Sequence, residues 1–307
     1  MEKSILKDLH CEKLMHGQLV LRVWAKHFLN GIEKSAKQKA HATDNPKNYR
    51  IACGQAVREK TKRLAPYFVD GKLPTGDGGL VIGFNHPSLG EIVRIVIMLT
   101  EKLSADKEIV FPVKLTYYEI LEPFKVQLGR MFGVQLMPII TPKLYTDMIE
   151  LRPEYTREIL VAEKKLQSEY LNKVYYVLRR GGAIIVAPAA RRHDHIFTCG
   201  EQLADCEPIT PQTMSLLEMA INKEQIHDVT FIPMLVIPPE DGNDWLNPNL
   251  CYGFVFGEPF TEAEAYDLAK TKCKRCKGRE FERIFLTRIA NLTPDYGRTD
   301  LVMPRSI

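Results

Sequence analysis

From Leu19 onward the N-terminal region repeats apolar residues at helical spacing, through Val20, Val23, Trp24, Phe28 and Ile32, after a looser start at Ile5, Leu9 and Leu14. The stretch SAKQKAHATDNPKN is polar, contains a proline and reads as a loop. Residues 47–65 resume as a basic helix, and GKLPTGDGG follows as a linker rich in helix and strand breakers. An N-terminal basic helical segment is therefore expected over residues 1–72. Beyond it, short runs rich in Val, Ile and Phe alternate with longer helical patterns. The expected strands are LVIGF (80–84), EIVFPVK (108–114), GVQLMPIIT (133–141), AIIVAP (183–188), VTFIPMLVI (229–237) and CYGFVFG (251–257). Helices fit at about 88–103, 116–131, 153–180, 210–224, 262–270 and 278–292. The third of these closes on Arg179, Arg180, Gly181 and Gly182, cations and then glycine at a helix exit. Such alternation predicts an α/β fold over residues 73–307: a mostly parallel central sheet flanked by helices.

The length of 307 residues suits one large α/β domain with an appendage, and 26% charged residues argue against general disorder. No run reaches the roughly 18 apolar residues of a membrane span. The best candidate, Ile92 to Leu99, is broken by Arg94 and closed by Glu101. The start, MEKSILKDLHCEK, carries acids and no long apolar core, so it does not read as a signal peptide. The expectation is a cytoplasmic chain, peripheral to a membrane if it meets one. Seven scattered cysteines do not suggest a disulfide framework, and the lone Cys273–Cys276 spacing reads as plain helix or loop. Charge is uneven: residues 1–68 hold 14 Lys and Arg against 6 Asp and Glu, and the remainder holds 28 against 32. A basic appendage on a slightly acidic body suits an anionic partner, or is simply a solvated helical surface.

The stretch GGLVIGFNHPSLGEIVRIVIML, residues 78–99, carries the most chemistry. An apolar run stops at Asn85 and His86, Pro87 follows, and Glu91 leads into a second apolar run. On one continuous helix His86 and Glu91 would point about 140° apart. Pro87 removes that obstacle, because it suits the first helical position and pushes the residue before it into extended geometry. His86 then ends a strand, Glu91 projects from the start of a helix, and Gly90 allows close approach. A carboxylate bonded to one ring nitrogen fixes the imidazole tautomer and leaves the other nitrogen free to accept a proton. Helix N-terminal N–H groups favour negative charge nearby, and strand C-terminal ends are where open α/β sheets bind ligands. On these residues alone, a general base and a capping or surface pair remain equal readings.

Several stretches then fall in an order that resembles the glycerolipid acyltransferases, the 1-acylglycerol-3-phosphate and glycerol-3-phosphate acyltransferase superfamily. NHPSLGE is similar to that family's Asn-His-x-Ser-x-x-Asp signature. VKLTYYEILEPF and MFGVQLMPIIT resemble its second block, and GGAIIVAPAARR its third. FIPMLVIPP resembles the fourth, and FGEPF and IANLTPDYG its ending. The resemblance covers about residues 75–298. It implies an O-acyltransferase in which His86 deprotonates an acceptor hydroxyl and Glu91 takes the place of the family's Asp. It implies that Arg192 holds the acceptor phosphate with Arg191 beside it, and that Lys114 is a further candidate for the same cleft. His193, read apart from the resemblance, is a candidate source of positive charge beside Arg192 as the alternative to a metal-ligand role. A planar guanidinium suits phosphate well. The donor would be acyl-CoA or acyl-carrier protein as co-substrate, with no cofactor and no metal. The acceptor would be glycerol 3-phosphate, lysophosphatidate or a related phospholipid.

The third block departs from the family. Ala189 and Ala190 stand where Glu-Gly or Ser-Gly-Gly is usual, and the second block ends in Ile139, Ile140 and Thr141 without an arginine. These departures also admit a non-catalytic lipid or acyl-chain binding protein on the same fold. His193, Asp194 and His195 lie close together, but no third metal ligand has a suitable spacing. The N-terminal segment is read in two ways. Its basic residues with Trp24 and Phe28 dock on an anionic membrane surface, or its apolar stripe packs onto the α/β body. Sparse aromatics and the lack of a recognised motif there argue against a nucleic-acid partner.

Overall fold

The run GLVIGF is apolar at every position, and a strand of that kind is stable only where both faces are covered. In the computed structural model it is the central strand of the molecule, with all six residues buried. The structure describes residues 15–39, 45–64, 67–74, 76–86, 90–103, 106–140, 142–187, 196–198, 226, 228–239, 251–264 and 280–304. In chain order the elements are helix α1 (Met15–Lys39), α2 (Pro46–Leu64), strand β1 (Tyr67–Asp70), β2 (Gly79–Phe84), α3 (Gly90–Lys102), β3 (Ile109–Lys114) and α4 (Leu115–Leu121). They continue with α5 (Lys125–Phe132), β4 (Val134–Ile139), α6 (Pro142–Leu151), α7 (Thr156–Arg179), β5 (Ala183–Val186), β6 (Ile196–Thr198) and β7 (Val229–Ile237). The last are β8 (Tyr252–Phe256), β9 (Phe260–Thr261), α8 (Glu280–Ala290) and β10 (Val302–Pro304).

Seven strands form the sheet in the order β1-β8-β7-β2-β5-β3-β4, and β9 adds to β7 as an eighth. Pairings β2–β5, β2–β7, β3–β5 and β3–β4 are parallel, while β7–β8 and β7–β9 are antiparallel. The sheet is thus mostly parallel, as the alternating pattern predicts. A separate parallel pair joins β6 to β10.

Strand pleating divides the core. Leu80, Ile82 and Phe84 of β2 pack with Ile95, Met98 and Leu99 of α3 and with buried residues of α1 and α2. Val81 faces the other way, toward Tyr170, Val174, Val177 and Leu178 of α7 and Phe285 of α8. Helix α7 ends as its sequence foretells: Arg179 lies in the last turn and Gly181 takes a φ of 72°. A Cβ at Gly181 would stand 2.0 Å from the Asp77 carbonyl oxygen, so only glycine fits that exit.

The N-terminal segment is part of this core. Ala25, Leu29, Ile32 and Ala36 of α1 and Ala52, Cys53, Ala56 and Val57 of α2 are buried in the same cluster as the sheet, and Phe28 packs against it half-buried. Glu33 of α1 accepts hydrogen bonds from Gln127 at 2.8 Å and from Arg130, both on α5. The side chain of Trp24 lies outside the described residues. Strand β1 pairs in parallel with β8, so the sheet takes in residues 67–70, which the breaker pattern places in the N-terminal segment. Among the described residues, no helix is long and apolar enough to cross a membrane.

Candidate active site

The site is built from the end of β2. The ladder between β2 and β7 runs to Phe84 opposite Met234 and then changes character. At the next position the Asn85 side chain takes the place of the main chain. Its Nδ2 donates to the Val236 carbonyl at 2.8 Å, and its Oδ1 accepts from the Val236 N–H at 2.6 Å. Residues of β7 direct their peptide groups alternately to its two neighbours. Gly257 takes the Pro233 carbonyl on the β8 side, and Val236 faces β2. Asn85 is 6% exposed, so without that amide two buried peptide groups would be stranded. The sheet therefore holds the chain one residue beyond its last regular rung, and the next residue is His86.

His86 faces α3. Its Nδ1 is hydrogen-bonded to Glu91 Oε1, in the first turn of that helix. The His86 side chain is 17% exposed and that of Glu91 is 0%. The imidazole is thus open at one side, while the carboxylate behind it is sealed from water. Phe84 lies beside the ring, centroids 6.0 Å apart. With Nδ1 committed to Glu91, Nε2 is the nitrogen left to exchange a proton with a ligand. A fully buried carboxylate is costly unless paired. Arg94, one turn further along α3 and 3% exposed, places a cation on the same face. Its guanidinium lies over the Tyr252 ring, 4.5 Å from the centroid. Burial pushes Arg94 below the usual guanidinium range, and the negative forms of Tyr252, Cys251 and Glu91 pull it back up.

The topology marks this edge independently. From β2 the chain runs to β3 on one side, and from β5, the immediate neighbour of β2, it passes to β7 on the other. Gly83 pairs with Val186, so both strands end at the same level. Adjacent parallel strands whose connections leave in opposite directions open a crevice at their C-terminal ends, the usual ligand site of such sheets. His86, two residues beyond the end of β2, stands at that edge of the sheet.

The other residues singled out in the sequence fare differently. Arg191, Arg192 and His193, with Ala189, Ala190, Asp194 and His195, lie outside the described residues, as do Cys273 and Cys276. Pro87 does as well. Lys114 ends β3 and leads directly into α4. By register it is level with Asn85 but two strands away, roughly 10 Å at the usual strand spacing. Ile109, Phe111 and Val113 pack on the α3 side of the sheet and Val110 on the α7 side, so alternation assigns Lys114 to the α7 side. The structure does not bring Lys114 to the His86–Glu91 pair. Asn85, Arg94 and Tyr252 complete the arrangement instead. The only sequence signals for them were an amide at the end of an apolar run and a cation inside one. Compared with family models and with curated proteins, the chain matches none.

Proposed function

We propose that the chain is an O-acyltransferase of phospholipid metabolism, which moves a fatty acyl group from acyl-CoA or acyl-carrier protein to a hydroxyl of glycerol 3-phosphate, lysophosphatidate or a related phospholipid acceptor. The observation that carries this reading is a part-exposed imidazole bonded through Nδ1 to a fully buried carboxylate at the crevice of a mostly parallel sheet. In this reading His86 Nε2 takes the proton of the acceptor hydroxyl as its oxygen attacks the thioester carbonyl. The tetrahedral intermediate collapses, the C–S bond breaks, and the thiolate leaves with the proton from the imidazolium. Glu91 keeps the ring in the required tautomer and balances the imidazolium charge. General-base help of this kind accelerates a reaction by about 10²–10⁴-fold. The acceptor is itself the nucleophile, so no acyl-enzyme is needed. N–H groups in the first turn of a helix, which lack intrahelical partners, suit the developing oxyanion. The resemblance assigns the acceptor phosphate to Arg192 with Arg191 beside it, and His193 next to them adds positive charge in this reading.

The test is release of free thiol from acyl-CoA or acyl-carrier protein with a panel of glycerolipid acceptors, for wild type and for His86→Ala. Transfer is abolished in the variant. Activity within a few-fold of wild type rejects the mechanism. The altered third block, with Ala189 and Ala190, favours one second reading, a lipid or acyl-chain binding protein without turnover. That reading predicts acyl-chain binding by wild type with no thiol released for any acceptor. The proposed location is cytoplasmic and peripheral, at an anionic membrane surface. Flotation with liposomes, with and without anionic lipid, tests it.

A further inference from the structure

A guanidinium is an unexpected group on the inner face of α3. Arg94 is followed by Ile95, Ile97, Met98 and Leu99, all buried, and is itself 3% exposed. Burying a cation is unfavourable unless an anion compensates it. The Tyr252 ring beneath Arg94 offers the attraction of an aromatic face but no net charge. Among the described residues, the titratable groups that act on Arg94 are Tyr252, which opens β8, Cys251 just before it, and Glu91 on its own helix. Of these, only Glu91 is a carboxylate. Glu91 in turn is hydrogen-bonded to His86 Nδ1. Three side chains are therefore linked along this edge of the sheet: Arg94 over the Tyr252 ring, Glu91 one turn before it on α3, and His86 hydrogen-bonded to Glu91.

We infer that Arg94 is a positioning residue of the acyl-transfer site, which anchors the Glu91 carboxylate behind His86 and keeps the linked set electrically neutral while the imidazole is in its base form. The catalytic part of this inference rests on the acyltransferase reading; the electrostatic part does not. With Arg94 present, one cation, one anion and a neutral ring sum to zero. Without it, the same site loses one positive charge away from water. Such a site makes up the loss by binding a proton at a higher pH, so less of the base form is present near neutrality.

The experiment follows the His86 ring by NMR across pH in wild type, Arg94→Met and Arg94→Lys, with the pH profile of kcat/KM for thiol release measured alongside. In Arg94→Met the proton-uptake midpoint of the His86–Glu91 pair rises by about one pH unit or more, and the acid limb of the rate profile moves with it. Arg94→Lys, which keeps the charge, stays nearer wild type than Arg94→Met does. A merely structural arginine lowers stability and rate but leaves the midpoint in place, and that result overturns the inference. If Arg94→Met does not fold, Glu91→Gln is compared with Glu91→Gln/Arg94→Met, which removes the stranded cation. The midpoint then rises on losing Arg94, and an unchanged midpoint again overturns the inference. A wild-type protein that transfers no acyl group, but whose ring responds to Arg94 as described, refutes the acyltransferase reading and leaves the electrostatic role of Arg94 supported.

Discussion

Truncating Asn85 to alanine isolates what the side-chain rung contributes. The substitution removes two buried hydrogen bonds, of 2.8 and 2.6 Å, and leaves the Val236 N–H and C=O without partners on the β2 side. A hydrogen bond of this kind contributes about 1 kcal/mol net, while a buried polar group left unsatisfied costs about 1–3 kcal/mol. Two stranded groups therefore predict a destabilisation of about 2–6 kcal/mol. Urea unfolding followed by circular dichroism measures it, and hydrogen exchange at the Val236 amide reads the rung directly. Asn85→Asp sharpens the test. A carboxylate still accepts from the Val236 N–H but turns an oxygen, not a donor, toward the Val236 carbonyl. The Asp variant should be no more stable than the Ala variant near neutrality, and should recover stability in acid, where a protonated carboxyl donates again. Thiol release should fall in both variants, since His86 is the next residue. An Asn85→Ala protein within about 0.5 kcal/mol of wild type, the range of ordinary surface substitutions, would refute the reasoning.

Gly83→Ala would place a Cβ 2.4 Å from the Phe285 ring, which is held against Phe231 and Phe260 at centroid distances of 5.9 and 5.1 Å. The overpacking should cost about 1–3 kcal/mol in thermal or urea unfolding, and an unchanged midpoint contradicts the packing described. Ile32→Ala removes a fully buried side chain from α1 and should cost about 2–5 kcal/mol. A stripe that served only to dock on lipid would leave stability in solution unaltered. The hydrogen bond from Tyr296 to Asp70 pushes the Tyr296 phenol up to about 12. A phenol titrates at about 10 in an unfolded chain, so this contribution is complete below about pH 10 and is lost as pH rises through about 12. Tyr296→Phe should remove that part of the alkaline slope in urea midpoints, and identical slopes would refute the attribution.

What the sequence made legible follows from how far each signal extends along the chain. The strand expectations at 80–84, 108–114, 133–141 and 229–237 match β2, β3, β4 and β7 to within a residue or two, because buried parallel strands are continuous apolar runs. Strand β1 escaped notice: YFVD is short, alternates half-buried with exposed residues and pairs at an edge, so little selects its composition. The helix expected over 116–131 is interrupted by a 3-10 turn at Glu122–Phe124, where Pro123 withholds an N–H. Helix α6 begins at Pro142 in a stretch read as connection. The first helix continues to Lys39, into residues read as loop. At the site, His86 and Glu91 were legible because Pro87 lies between them and local geometry settles their meeting. Arg94 was read only as a break in an apolar run. Its partner ring, Tyr252, comes from a strand that local periodicity cannot place, and the reach of Asn85 to Val236 likewise depends on which strand lies beside β2.

Helix α3 lies between the sheet on one flank and α2 on the other, with Glu91, Arg94, Ile95, Ile97, Met98 and Leu99 all sealed from solvent. A helix packed on both flanks in this way is held in place along its buried face. The acid behind the histidine is consequently set during folding, and in the proposed transferase an incoming substrate would meet a ring already oriented. The entropy of ordering those groups is not charged to the reaction. In the transferase proposed above, admitting and releasing substrate would not draw on movement of the helix that carries Glu91.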